Sequence, residues 1–385
     1  MTKKYIEKAK LVGSNGENSS QGASISLSGD GETLAIGGPN DNNNYGAVWM
    51  FTKRHDRWIE EQKLIPVNVP ITPLGVFIGF SVALSRDGKT LAISTLLVNA
   101  VIIYTKNKKN KWIQFKYILV VSIDGVFGSS VALSACGDLL AVGYPSDNGA
   151  MGAVWLFKKV KDDWFQIDKL VVTDAEGNPA LGCSVSLSDN GDILAIGGKG
   201  DNATTGATWI FKKKNNRWVQ KQKIVGSDSP PEQLQGFSVS LNGNGNILAV
   251  GGPGFSENRA SAAWVFERKE CSEWVQVGNK LIGQPLPAIS NFGQSVSLSQ
   301  SGKLLAIGAP GDLSESDEPN IGETFIFKRG NKNYIQYGEP LVGSDTENNQ
   351  KQGNSVSLSS TGCTLAIGGP GGTSEDGATW IFGKL

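Results

Sequence analysis

Along the stretch from Gly293 to Pro310, hydrophobic and polar positions follow two different rules in succession. Ser295-Val-Ser-Leu298 alternates, the signature of a strand with one face against a core. Leu304-Leu-Ala-Ile307 is apolar throughout, as expected of a strand covered on both faces. Ser301-Gly302 lies between them and supplies the chemistry of a tight hairpin. Near-copies of this block recur through the whole chain. The second element appears seven times, as Leu34-Ala-Ile, Leu91-Ala-Ile, Leu140-Ala-Val, Leu194-Ala-Ile, Leu248-Ala-Val, Leu305-Ala-Ile and Leu365-Ala-Ile.

A third apolar run follows each copy after a polar loop, as in Ala47-Val-Trp-Met-Phe51, Ala153-Val-Trp-Leu-Phe157, Ala207-Thr-Trp-Ile-Phe211 and Ala378-Thr-Trp-Ile-Phe382. A Lys-rich turn then leads to a fourth strand, as in Trp218-Val-Gln-Lys-Gln-Lys-Ile-Val-Gly226. Four antiparallel strands per repeat and seven repeats predict an all-β chain, a seven-bladed β-propeller forming one domain over residues 1–385. The seventh copy ends without a fourth strand, while the chain begins with Tyr5-Ile-Glu-Lys-Ala-Lys-Leu-Val-Gly13, which has the fourth-strand pattern. Residues 5–13 are therefore expected to complete the last blade and close the ring. The third-strand Trp49, Trp155, Trp209, Trp264 and Trp380 are expected to fill the widening outer gap between blades.

Composition agrees with a ring of tight turns: 49 of 385 residues are glycine. Lys+Arg and Asp+Glu balance at 36 each, which gives no bulk charge for nucleic acid or an anionic membrane. No apolar run is long enough to span a bilayer, and the N-terminal residues lack the apolar core of a secretory signal, so an intracellular, cytoplasmic protein is expected. Cys136, Cys183, Cys271 and Cys363 sit in four different repeats without CxxC spacing and read as free thiols.

Phe127-Gly128 and Phe292-Gly293 opening a strand, and Gly308-Ala-Pro310 closing the next, resemble the FG-GAP repeat of integrin α-subunit propellers. Gly38-Pro39, Tyr144-Pro145, Gly252-Pro253 and Gly369-Pro370 are variants of the closing motif. The resemblance covers essentially the whole chain and implies a propeller; its members include adhesion modules, lectins and parts of enzymes. It also implies calcium loops between the first two strands. Here that interval, Ser28-Gly-Asp-Gly-Glu32 or Ser188-Asp-Asn-Gly-Asp192, has too few carboxylates for calcium, so no metal is expected.

Catalytic chemistry has little footing. His55 is the sole histidine, in a turn beside Arg54 and Asp56, and no nucleophile triad, HExxH or phosphate-cradling loop occurs. No enzyme activity and no cofactor are expected. Asp41, Asp147, Asp201 and Asp312 recur after the second strand and read as turn caps. Loops joining strands three and four are basic, as in Lys106-Asn-Lys-Lys-Asn-Lys111 and Lys212-Lys-Lys-Asn-Asn-Arg217. Loops joining strands two and three, and those between blades, are mostly acidic and lie on the opposite face. The basic turns lack interleaved aromatics, which argues against nucleic acid.

Blade 2 breaks the pattern. Its connection from blade 1, Pro66-Val-Asn-Val-Pro-Ile-Thr-Pro-Leu-Gly-Val-Phe-Ile78, and its next loop, Leu96-Leu-Val-Asn99, are apolar where other blades carry Gly, Pro and Asp. The connection into blade 3, residues 118–127, is apolar again. Such a patch marks a binding surface, or else folds over the channel mouth. Val69, Ile71, Leu74, Phe77, Leu96, Leu97 and Val98 are the candidate partner-binding residues. The expected function is a noncatalytic module recognising a protein partner through the loop face of blades 1–3. The alternative is a lectin-like propeller holding carbohydrate in similar sites in several blades through Asp/Asn and an aromatic.

Overall fold

The computed structural model describes residues 4–119, 125–254, 261–269, 273–285, 290–311, 321–344, 350–371 and 376–385. These form seven four-stranded antiparallel sheets, each meandering outward from an innermost strand. The blades run Ser24–Leu64, Val82–Leu119, Val131–Leu170, Ser184–Ile224, Ser238–Gln276 and Ser295–Gln336. The seventh combines the three strands of Ser355–Lys384 with Tyr5–Leu11 as its outermost strand. The pairing runs from Tyr5↔Lys384 to Leu11↔Thr379, so the N-terminal strand closes the ring as its pattern predicts. Among the described residues no helix is long and apolar enough to cross a membrane.

The repeating serines have three separate jobs. In the innermost strand of blade 4, Ser184 Oγ donates to the carbonyl of Gly236 in blade 5 (2.7 Å), and Ser186 Oγ accepts from Leu241 N–H (2.9 Å). Ser24, Ser238, Ser295 and Ser355 make the first bond in their own blades. Ser26, Ser240, Ser297 and Ser357 make the second. Alternation here therefore stitches neighbouring blades instead of presenting a polar face to water. The third serine closes the hairpin: Ser188 Oγ accepts from the N–H of Ile193.

Close approach explains the glycines at the same seam. A Cβ on Gly197 would lie 1.9 Å from the carbonyl oxygen of Gly236, and Gly236 itself has φ +81. Side chains at either position would push two blades apart. The motif residue before that glycine is of two kinds. Ile78, Phe127, Leu181 and Phe292 are fully buried apolar plugs. Gln21 and Gln235 instead hydrogen-bond both the N–H and the carbonyl of Gly13 and Gly226, and Gln352 accepts from the N–H of Gly343. The amide extends the sheet edge where a phenyl ring would fill a gap, and three blades depart from the FG pattern this way.

Strands two and three are buried on both faces, and Trp49, Trp209, Trp264 and Trp380 are completely enclosed. Trp155 is only half-buried. The loops after the second strands of blades 1, 3 and 4 turn through three consecutive left-handed residues: Asn42 to Asn44, Asn148 to Ala150, and Asn202 to Thr204. Asn and Gly tolerate this region, whereas Ala203 carries a Cβ penalty. Ala203 is exposed, at φ 49. Ala203→Gly is expected to stabilise the protein by about 1 kcal/mol or slightly less, read from the urea midpoint.

Candidate functional site

The hairpins joining strands one and two gather on one face, where they bond one another. Successive blades are linked by backbone bonds, including Gly29 N–H to Arg86 O, Asp189 N–H to Gly243 O, Gly243 N–H to Gln300 O and Ser360 N–H to Gly29 O. Arg86 of blade 2 then crosses the axis. Its guanidinium meets the carboxylate of Asp189 in blade 4 and the hydroxyl of Ser360 in blade 7. Gln300 of blade 6 holds the second Asp189 oxygen at 3.0 Å. Four blades thus meet in one polar latch that nothing in the local sequence announced.

On the loop face, blades 1 to 3 are joined into a continuous surface. The N–H groups of Val76 and Phe77 both donate to Asn44 O of the blade 1 loop, and Leu96 N–H donates to Val76 O. Farther round, Phe127 N–H donates to Asn99 Oδ1, and Val126 N–H to Ser146 Oγ. The candidate residues divide between the interior and the surface of this layer. Val69 and Val98 are 7% and 9% exposed and pack with Val76 and Ile78 in the core between blades 1 and 2. Phe77 and Leu96 are half-buried. Ile71 and Leu74 are 76% and 74% exposed, and Leu97 is 36% exposed. Residues 120–124 of the connection into blade 3 lie outside the described residues.

Asp41 and Asp201 are not turn caps. Asp41 and Asp201 are buried, each accepting an N–H from the preceding connection, Glu17 at 3.1 Å and Glu176 at 2.7 Å. Each also pairs with an outermost-strand lysine, Lys63 or Lys223, at 2.7 Å. Those lysines lie over the rings of Trp49 and Trp209. The carboxylates are long-range clasps because a buried charge needs a partner of opposite sign, which a turn N–H alone does not supply. Asp147 and Lys169 of blade 3 form the same pair at 2.8 Å, with Lys169 over Trp155. Asp312 lies outside the described residues.

These clasps neutralise part of the expected acidic face. Glu257, Glu315, Asp317, Glu318, Asp345, Glu347 and Glu375, which contribute to that expectation, lie outside the described residues. Asp174 is held below the usual carboxylate range: burial pushes it up, but side-chain hydrogen bonds from Gln220 and Trp209 more than offset this. On the turn face, Lys108, Lys109, Lys111, Lys214 and Arg217 are exposed at hairpin tips, as is His55. Cys136, Cys183 and Cys363 are free thiols, and burial pushes that of Cys183 up; Cys271 lies outside the described residues. Among the described residues no group of three His, Cys, Asp or Glu could hold a metal ion.

Solved structures share the architecture. Hydrazine synthase of Kuenenia stuttgartiensis superposes with a TM-score of 0.62 at 16% identity, covering 98% of both chains. A Bacteroides fragilis protein, whose assignment as a 6-phosphogluconolactonase is itself provisional, gives a TM-score of 0.58 at 12% identity over 83% of this chain and 84% of the other. At such identities the likeness is one of fold. No protein-family profile matches the chain, and no curated protein is similar to it.

Proposed function

We propose that the chain is a noncatalytic binding module that recognises a protein partner through the loop face of blades 1 to 3. The observation that carries this reading is the exposure of Ile71 and Leu74 on a connection whose own Val69 and Val76 are buried in the core. Large apolar side chains held out on an anchored loop lose little conformational freedom on binding. They also cost solvation in the unbound protein, and patches of this kind mark interaction sites. On the hairpin face the Asp189 carboxylate is tied to Arg86, which supports a noncatalytic role.

Ile71→Ser with Leu74→Ser tests this. The pair is expected to leave the thermal midpoint unchanged within about 0.5 kcal/mol equivalents, since both side chains are exposed. Binding to the partner recovered from the native source should fall by tenfold or more, at about 1.4 kcal/mol per factor of ten. Val98→Ser in the neighbouring loop of blade 2 is expected instead to lower stability, because Val98 is buried. A double variant that binds like the wild type removes the reading.

A further inference from the structure

At the turn end of the seam between blades 1 and 2, cations meet a carboxylate. Glu61 directly follows Glu60, the outer-strand partner of Phe51. It holds Lys106 of blade 2 at 3.4 Å and Arg54 of its own blade at 3.2 Å. Between blades 5 and 6 a carboxylate serves again, with Glu267 on Arg329 at 2.6 Å.

The seam between blades 6 and 7 gathers cations around an aromatic ring instead. Tyr337 stands where blade 1 has Glu61, directly after Gln336, the partner of Phe327. It packs against the core cluster that holds Tyr5 and Ile326. Lys384 of blade 7 occupies the strand position of Lys106 and lies over the Tyr337 ring at 5.8 Å. Lys328 of blade 6 and Lys4, just before the N-terminal strand, lie over the same ring at 5.3 and 5.5 Å. Among the described residues no carboxylate pairs with these three lysines, and residues 1–3, which precede Lys4, read Met-Thr-Lys.

The sheets hold the cluster in place. Lys328 and Lys384 belong to strands three, and Lys4 O accepts from the N–H of Leu385. A ring has two faces, so at least two of the three ammonium groups share one. Like charges so placed repel, and an anion between them turns the repulsion into attraction.

We propose that this seam binds a phosphomonoester. Near neutral pH such a group carries a charge of about −1.5 to −2 and three strong acceptor oxygens. Each ammonium offers three rotatable donors, and lysine binds phosphate as a point charge without needing a planar fork. A carboxylate or a phosphodiester brings only a single charge. Ile335, paired with Lys328 and 59% exposed, gives the alcohol that carries the phosphate an apolar neighbour. The site lies at the turn end of the blades, opposite the loop face that carries Ile71 and Leu74. It is therefore separate from partner recognition.

Glycerol phosphate in solution and phosphatidic acid in phosphatidylcholine vesicles present the same phosphomonoester, free and on a lipid. Phosphorus NMR of the first with the full chain should show broadening of the phosphate signal. Flotation with the second, in excess of flotation with phosphatidylserine vesicles, which offer a phosphodiester, would assign a lipid source. Tyr337→Glu places the carboxylate of blade 1 among the lysines and should weaken binding about tenfold or more. Lys328→Gln removes one charge at an exposed position, which keeps the fold, and should weaken binding about fivefold. Lys108→Gln, at the exposed tip of blade 2, should leave binding unchanged. Neither broadening nor excess flotation overturns the proposal. So does binding that survives in both Tyr337→Glu and Lys328→Gln, or that falls equally in Lys108→Gln.

Discussion

Removal of residues 1–11 is expected to lower the unfolding free energy by on the order of 5 kcal/mol or more. The deleted strand is part of the seventh sheet, and its ends are the best-buried points of that seam. Tyr5 is 1% exposed, and its hydroxyl donates to Gly362 O at 2.6 Å. Burial pushes the Tyr5 phenol well above the usual tyrosine range, so it stays a neutral donor at all physiological pH. Leu11 is buried against blade 1, and Glu7 accepts from both the N–H and the hydroxyl of Ser344. Without this strand, Ala378–Lys384 becomes an unpaired edge able to recruit other chains. Guanidinium unfolding and size-exclusion chromatography should show a lower midpoint together with self-association. An unchanged midpoint in a monomeric deletion variant contradicts the closure.

Trp209→Ala is expected to cost about 3–5 kcal/mol, and Trp155→Ala clearly less. Both occupy the same place in their blades, but Trp209 is completely enclosed whereas Trp155 is half-buried. Trp209 Nε1 donates to Asp174 Oδ1 at 2.8 Å, and its ring underlies Lys223, the partner of buried Asp201. Its loss removes packing, frees a carboxylate and loosens a buried ion pair. The indole N–H of Trp155 has no partner to lose. Urea unfolding of the two variants side by side distinguishes them; equal losses contradict the unequal engagement of the two rings.

The ring was legible in the sequence because its strands are buried on both faces, so each repeat must carry the same apolar runs at the same spacing. Closure could be read because an incomplete seventh repeat and a surplus N-terminal strand match. What hydrogen bonding at a distance decides was not legible. Arg86 and Asp189 are turn residues 103 positions apart, and only the curvature of seven blades brings them together. Asp41 and Asp201 looked like turn residues because the lysines that hold them lie on the far strand of the blade. The apolar loop of blade 2 could be seen as unusual, but not divided. Val69 turns inward and Ile71 outward because the path is set by prolines and by the bonds of Val76 and Phe77 to Asn44. Gln21 and Gln235 stand where the FG motif has Phe, and their two-bond grip on a backbone glycine gives the physical reason.

The most direct test of partner recognition on blades 1 to 3 is site-specific photo-crosslinking in the native source. A photoreactive residue is placed at position 71, 74 or 97, or at the exposed outer-strand positions 59 and 335 as controls. The account predicts one protein crosslinked from positions 71, 74 and 97 and absent from 59 and 335. Crosslinks to the same protein from 59 or 335 but none from the loop positions would contradict it.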